Sequence, residues 1–136
     1  MEAAARDAGT RKRVLVADDD DDVCSLLQAV LTAYCDLTVV HDAESALRTI
    51  AMSPRFDALV TDFMLPGLTG VELVEHVRRS EGSTRIPILI ISGHGSLGVG
   101  ADARAAGADA FLDKPFTLTQ LRGTVLALLS APPTRS

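Results

Sequence analysis

Hydrophobic residues along the chain alternate between two spacings, short continuous runs and positions three or four residues apart. Continuous runs are typical of strands buried on both faces of a sheet, and the wider spacing is typical of helices that bury one face. The runs predict strands at residues 14–17, 37–40, 58–60, 87–91 and 110–112. The fourth run is the most apolar, which predicts a central position in the sheet.

Helical spacing predicts five helices, one after each strand. Asp42 is placed to cap the second helix. Two helices open on capping boxes, in which two side chains three residues apart each satisfy a backbone N–H: Thr69 with Glu72, and Thr117 with Gln120. The fourth helix, over about residues 97–106, has glycines and few large apolar residues. We expect it to be the least stable helix.

Strands that alternate with helices indicate βαβ units and a parallel sheet. The predicted fold class is therefore α/β, a doubly wound five-stranded parallel sheet with five helices on both faces. The pattern leaves the order of the strands open. Ligands of such folds bind beyond the carboxyl ends of the strands, so the residues at those ends are candidates for function.

The length of 136 residues suits one domain, with 47% hydrophobic and 23% charged residues. We expect residues 1–11 to be a disordered lead-in, residues 12–130 to form the domain, and residues 131–136 to be a tail or the start of a linker. The chain lacks the apolar block of a secretory signal and an apolar run long enough to span a membrane, so no membrane partner is expected.

Charge and cysteine content narrow the function further. The net charge of −5 argues against direct binding of nucleic acid, which requires a basic surface. The two cysteines, Cys24 and Cys35, are too few for a disulfide framework and favour a reducing cytoplasm. Only two of the 13 basic residues are lysines. Lys12 lies next to the predicted N-terminal lead-in, and Lys114 lies well inside the predicted domain.

The predicted strand ends carry a set of polar residues that could act together: Asp18, Asp19, Asp62, Ser92 and Lys114. Three carboxylates at one edge of a sheet repel one another unless a cation neutralises them. An all-oxygen site with room for water favours Mg²⁺. A metal ion, an ammonium group and a hydroxyl can hold a phosphoryl group, and a carboxylate can be the nucleophile that accepts it.

These residues lie in segments that resemble the receiver domains of two-component response regulators, a family that includes the chemotaxis regulators. The matching segments are VLVADD at 14–19, VTDFMLPG at 60–67, SG at 92–93 and FLDKPF at 111–116. They occur in order over about residues 12–130, with 30 residues from Asp62 to Ser92 and 22 from Ser92 to Lys114. The resemblance implies a flavodoxin-like fold and a phosphoryl-accepting switch.

The resemblance also implies roles for the acidic residues. Asp62 is expected to accept the phosphoryl group, with Mg²⁺ as the cofactor. Asp19, Asp62 and the backbone carbonyl of Met64 are expected to bind the ion directly, and Asp18 is expected to act largely through water.

Further roles follow from the same resemblance. Ser92 is expected to donate a hydrogen bond to one phosphoryl oxygen and Lys114 to pair with another, with a cis bond between Lys114 and Pro115. Phe111 is expected to be the switch aromatic that changes rotamer when Ser92 moves. Phosphorylation is expected to order residues 94–106 and to change the surface formed by the fourth helix, the fifth strand and the fifth helix.

The implied partners are a histidine kinase or phosphotransfer protein as the donor, and a downstream effector protein or output domain. The chain is then a cytoplasmic regulator that assists its own phosphotransfer and dephosphorylation, and not an enzyme with a free substrate. It could stand alone or be part of a larger regulator or hybrid kinase. An interaction module that never takes phosphate is the competing class.

Other interpretations of single motifs remain open at this point. The five acids at 18–22 allow more than one register, and acids also favour helix N-termini. Residues 93–98 match a glycine-rich dinucleotide motif, although they follow the fourth predicted strand instead of the first. An Asp-x-Asp phosphatase built on Asp18 and Asp20 is a further enzyme class.

Overall fold

Five parallel strands form one sheet in the order β2-β1-β3-β4-β5 in the computed structural model, which describes residues 11–52, 55–80, 85–93 and 99–130. The predicted parallel α/β architecture is confirmed. Strand β3, and not the more apolar β4, lies at the centre. Burial on both faces makes any interior strand apolar, so composition alone does not distinguish the central strand from an interior neighbour. The strands are β1 (Lys12–Ala17), β2 (Cys35–Val40), β3 (Ala58–Asp62), β4 (Ile88–Ser92) and β5 (Ala110–Asp113).

Each predicted helix is present among the described residues. They are α1 (Asp21–Leu31), α2 (Ala43–Met52), α3 (Gly70–Ser80), α4 (Val99–Ala106) and α5 (Leu118–Ser130). Both capping boxes form, with reciprocal bonds of 2.9 and 3.1 Å before α3 and 2.7 and 3.0 Å before α5. The Asp42 carboxylate accepts the Ser45 N–H at 2.7 Å, which confirms the cap of α2. The predicted start of the fourth helix at residue 97 lies outside the described residues.

Two hydrophobic clusters cover the two faces of the sheet. Successive strand residues alternate between them, so that Leu15 and Leu59 belong to one cluster and Val16 and Val60 to the other. Helices α2, α3 and α4 contribute to the first cluster, and α1 and α5 contribute to the second. This two-sided burial explains why the strands are continuous apolar runs.

The strand order determines where a crevice forms at the carboxyl ends of the strands. The chain passes from β1 outward to β2 and then returns to the other side of β1 as β3. The carboxyl ends of β1 and β3 are therefore neighbours, with Ala17 paired to Thr61. Such a reversal of direction opens a crevice at the ends of the strands, where ligands bind in doubly wound folds.

Arg11, which the sequence analysis assigned to the lead-in, packs against the start of β2. Its guanidinium donates to Asp36 Oδ1 at 2.7 Å and to the carbonyls of Thr32 and Cys35 at 2.6 and 2.9 Å. Both cysteines are buried free thiols. Across the part of the chain that the structure describes, every helix is too short or too polar to cross a bilayer.

Arg78 joins three elements at the edge of the sheet opposite the candidate site. Its guanidinium donates to the Gly107 carbonyl at 3.1 and 2.7 Å, to the Ile86 carbonyl at 2.8 Å and to Asp109 Oδ2 at 3.0 Å. Arg85 donates to the other Asp109 oxygen at 2.6 Å. Since Gly107 follows α4 directly, this network holds the C-terminal end of α4 against α3 and the start of β4.

We predict that Arg78→Met lowers the free energy of unfolding by about 2–3 kcal/mol, because several hydrogen bonds to a charged donor are lost at a largely buried position. Arg79→Met is the matched control: the same change at the exposed neighbouring residue should stay within about 0.5 kcal/mol. Urea unfolding followed by circular dichroism measures both. Equal losses in the two variants would contradict the assignment.

Candidate functional site

The carboxyl ends of four strands bring the predicted site residues to one edge of the sheet. Asp18 follows β1, Asp62 is the last residue of β3, Ser92 is the last residue of β4, and Lys114 follows β5. Parallel pairing aligns these ends, with Asp62 opposite Ile91 and Ser92 opposite Asp113. Residues far apart in the sequence therefore become neighbours at the crevice between β1 and β3.

Three carboxylates meet at this edge: one oxygen each from Asp18, Asp19 and Asp62 lies within 4.8 Å of the others. Asp18 is 2% exposed, Asp62 is half-buried and Asp19 faces solvent. Oxygen ligands of this kind, at graded exposure and with open positions for water, suit a hard divalent cation such as Mg²⁺. The cluster fits the ion that the sequence predicted.

Burial disfavours the charged form of two of these carboxylates. It raises the pKa of Asp18 from 3.8 to about 6, against a hydrogen bond from the Asp20 N–H, and the negative charge of Asp62 adds to the rise. Burial also raises the pKa of Asp62, opposed by the positive charge of Lys114 and by the N–H groups of Met64 and Phe63. A bound cation would offset the rise in both pKa values, because it stabilises the deprotonated carboxylates.

The remaining acids of the run have structural positions. Asp20 is the N-cap of α1, and its carboxylate accepts the N–H groups of Asp22 and Val23 at 2.9 and 3.4 Å. Asp21 and Asp22 are exposed in the first turn, where negative charge favours the helix dipole. The structure thus separates Asp18 and Asp19, which face Asp62, from the acids that begin the helix.

Ser92 and Lys114 complete the opposite side of the crevice. Ser92 is 1% exposed, and its hydroxyl donates to the Gly93 carbonyl at 3.2 Å. The Lys114 N–H donates to the Ser92 carbonyl at 2.8 Å, which ties the two residues together through their backbones. The charge of Lys114 opposes the rise that burial causes in the pKa of both Asp18 and Asp62. The Lys114–Pro115 bond is cis, as predicted.

The loop after Asp62 folds back on itself. Met64 pairs with Thr69, and the Gly70 N–H donates to the Phe63 carbonyl. A Cβ at position 70 would lie 2.6 Å from the backbone oxygen of Asp62, so only glycine permits this approach. Sequence reasoning missed Gly70, although a glycine directly after the capping threonine of a helix is an unfavourable choice that could have signalled it.

The structure describes two further predicted residues, Met64 and Phe111, but not most of the predicted glycine-rich segment. Met64 follows Asp62 by two residues, contacts its carboxylate through the backbone N–H and is 61% exposed. Phe111 is half-buried in β5 and packs against the cluster that α2, α3 and α4 cover. Residues 94–98, which include most of the glycine-rich motif and part of the segment expected to become ordered, lie outside the described residues.

The structure weakens both alternative enzyme classes. Asp20 caps α1, so an Asp-x-Asp nucleophile pair with Asp18 would have to break the start of that helix. A dinucleotide site requires two mononucleotide-binding halves, and the described residues form one five-stranded sheet. A glycine-rich loop after β4 would also leave the carboxylate cluster without a role.

Comparison with known proteins agrees with the geometry. Residues 14–126 match the family model of the response regulator receiver domain. The response regulator MprA of Mycobacterium ulcerans is 41% identical over 119 residues, which cover 86% of this chain and 50% of MprA. The receiver domain of the Francisella response regulator 1452 is 30% identical, with a TM-score of 0.77 over 87% of this chain and 96% of that one. The chemotaxis response regulator CheY4 of Vibrio cholerae is 29% identical, with a TM-score of 0.79 over 88% and 99%.

The chain spans about half the length of the first curated relatives that it matches, 49% of one and 51% of another. The family match, in contrast, extends from β1 into α5 and includes every residue of the site. The chain belongs to the response regulator receiver domain family, whose members are phosphoacceptor switches of two-component signalling and not conventional enzymes.

Proposed function

We propose that Asp62 accepts a phosphoryl group from the phosphohistidine of a histidine kinase or a phosphotransfer protein, and that Mg²⁺ is required. The observation that carries this proposal is the meeting of Asp18, Asp19 and Asp62 at the end of the sheet, within reach of the charge of Lys114. Asp62 is the nucleophile of choice because it lies between the other two acids and the Ser92–Lys114 side, where a phosphoryl group would be held.

In the proposed reaction, an oxygen of Asp62 attacks phosphorus in line as the bond to the donor nitrogen breaks. The electron pair of the broken bond stays on the donor imidazole. The N–H groups of Met64 and Phe63 orient the Asp62 carboxylate. Lys114 pairs with one phosphoryl oxygen, and the Ser92 hydroxyl leaves the Gly93 carbonyl to donate to another.

Asp19, Asp62 and the backbone carbonyl of Met64 would hold Mg²⁺ directly, and Asp18 would contact it through water. When bound, the ion supplies positive charge that stabilises the phosphoryl oxygens and the carboxylates. The same residues would position a water molecule against the aspartyl phosphate, so that the domain assists its own dephosphorylation.

We further propose that residues 12–130 form one receiver domain of a cytoplasmic regulator. The relatives extend well beyond the matched region, which favours an output domain or a separate effector protein as the recipient of the signal. Residues 131–136 would then be a tail or the start of a linker. An interaction module that never takes phosphate is less favoured, because all five expected site residues are present in the sequence.

Phosphorylation is proposed to change the surface formed by α4, β5 and α5 through Ser92 and Phe111. Helix α4 is suited to this role. Ala103 is its only fully buried residue among those whose burial is described, and Gly100 lies in its first turn. Elements with few buried contacts open at low free energy.

Asp62→Asn should abolish phosphorylation by acetyl phosphate and Mg²⁺, because the amide is a poor nucleophile. Intact mass spectrometry should show one added phosphoryl group on the native protein, removable by hydroxylamine, and none on the variant. Asp22→Asn, a change at an exposed acid of α1, should behave as the native protein does. A phosphoryl group of equal stability on Asp62→Asn would refute the assignment.

Asp19→Asn should weaken Mg²⁺ binding by about tenfold or more, since even residues that only support a metal ligand typically contribute that much. Asp20→Asn is the matched control, because asparagine caps helices as well as aspartate does and α1 stays intact. Titration of Mg²⁺ followed by NMR gives both dissociation constants. If the two variants lose affinity equally, the register of the acidic run is wrong.

Asp18→Asn should raise the free energy of unfolding of the metal-free protein by about 1–3 kcal/mol near pH 7, because it removes a buried charge. The pKa of Asp18 is about 6 in the folded state, against an ordinary value of 3.8. The free energy of unfolding of the native protein therefore falls as pH rises between these two values, whereas that of the variant does not change for this reason. The difference between variant and native protein should therefore vanish near pH 4. Urea unfolding at both pH values, with a chelator present, measures it; a variant less stable than the native protein near pH 7 would contradict it.

Beryllofluoride, a phosphoryl mimic, should slow amide hydrogen exchange in residues 99–106 if phosphorylation orders α4. Residues 118–130 of α5 serve as the internal reference. Equal protection of the two helices before the mimic is added would leave no disorder to remove and would contradict the proposal. The corresponding expectation for residues 94–98 stays a prediction.

A further inference from the structure

Cys24 is a buried residue of α1 that neither hydrophobic cluster contains. It is 5% exposed, and it is alone in this respect among the buried apolar residues that the structure describes. The other cysteine, Cys35, is part of the cluster to which α1 and α5 contribute. Apolar packing therefore accounts for Cys35, but it does not account for a thiol at position 24.

The thiol of Cys24 instead contacts the backbone of the candidate site. It donates a hydrogen bond to the carbonyl of Asp18, six residues earlier, with Sγ 3.3 Å from the oxygen. Among the described residues, no backbone N–H outside the regular helix and strand ladders donates to that carbonyl. Burial, together with the neighbouring acids, raises the pKa of the thiol to about 11, so the thiol is a protonated donor near pH 7.

The Asp18 carbonyl belongs to the peptide unit that joins Asp18 to Asp19. Two further hydrogen bonds hold the same short segment: the Asp18 N–H donates to the Val40 carbonyl at 3.1 Å, and the Asp18 carboxylate accepts the Asp20 N–H at 2.8 Å. Asp19 is exposed, so packing does not fix its side chain. The orientation of the preceding peptide therefore largely decides where the Asp19 carboxylate points.

We propose that Cys24 is a positioning residue for Mg²⁺: its thiol fixes the peptide between Asp18 and Asp19 and so directs the Asp19 carboxylate toward the cluster. This inference rests on the proposed function for the identity of the ion. Groups that orient metal ligands raise metal affinity without touching the metal. Cys24 acts through the backbone and not through a ligand side chain, and a thiol is a weak donor. Its contribution is therefore smaller than that of Asp19.

Cys24→Ala should lower Mg²⁺ affinity about fivefold, less than the roughly tenfold contribution of a group bonded directly to a metal ligand. Cys24→Val fills the space of the thiol without a donor; it should lose as much affinity, and it replaces Cys24→Ala if that variant does not fold. Cys24→Ser keeps an O–H donor and should bind Mg²⁺ more tightly than either. NMR titration with Mg²⁺ alone gives the dissociation constants. Native affinity in the variants without a donor would overturn the proposal, as would a serine variant that binds no better than they do.

Cys35→Ala is the matched control. Cys35 is also buried, and its thiol donates to the Leu31 carbonyl at 3.4 Å. It pairs with Lys12 at the start of β1, at the end of the sheet opposite the site. Removal of either thiol should cost similar stability, but Mg²⁺ affinity should fall only in Cys24→Ala. An equal loss of affinity in Cys35→Ala would mean that a general loosening of the fold is responsible, and the proposal would be wrong.

The Asp18 carbonyl supplies a second readout, which requires no metal. In the metal-free protein, its carbon NMR resonance should move upfield in Cys24→Ala, because loss of a hydrogen bond makes a carbonyl carbon more shielded. The resonance should stay close to its native position in Cys24→Ser and in Cys35→Ala. An unmoved resonance in Cys24→Ala contradicts the proposal. Failure of the native protein to bind Mg²⁺ would instead refute the proposed function, and the metal-free resonance tests the contact of the thiol independently.

Discussion

The repulsion among Asp18, Asp19 and Asp62 is the interaction on which the rest of the site depends. Their oxygens lie within 4.8 Å of one another, and burial raises the pKa of both Asp18 and Asp62. Folding therefore places these groups together against their electrostatic preference, and the hydrophobic burial of β1 and β3 supplies the opposing free energy. Under the proposed function, a bound cation would offset this unfavourable electrostatic free energy.

Helix starts and a close loop contact fix the backbone around the three carboxylates. Asp20 caps α1 two residues after the buried Asp18, so the chain leaves the site as a capped helix. Gly70 lets the loop after Asp62 return close to the Asp62 backbone, and the second capping box starts α5 soon after the cis bond that follows Lys114. The loops after β1, β3 and β5 thus end in a defined helix start, which limits the number of arrangements that the charged groups can adopt.

The two ends of α4 are held in different ways. At its C-terminal end, Arg78 and Arg85 donate to the carbonyl of Gly107 and bind Asp109. At its N-terminal end, the three atoms outside the helix that lie nearest to a potential Cβ at Gly100 all belong to the ring of Phe111. The pairing of β4 with β5 connects the Ser92 end of the site to the strand that carries Phe111.

Local chemistry was readable from the sequence by itself. Apolar runs and helical spacing identified the strands and helices that the described residues form, because burial on one or two faces leaves a different period in each. The capping boxes of α3 and α5 are local pairs three residues apart. Family resemblance selected the same residues that meet at the strand ends. Strand order, the central place of β3, the cap at Asp20, the role of Gly70 and the contact of Gly100 with Phe111 were decided only by the tertiary structure. Strand order and the two glycine contacts depend on how separate elements approach one another, and the cap at Asp20 depends on where α1 begins within a run of five acids. Neither periodicity nor composition encodes these arrangements.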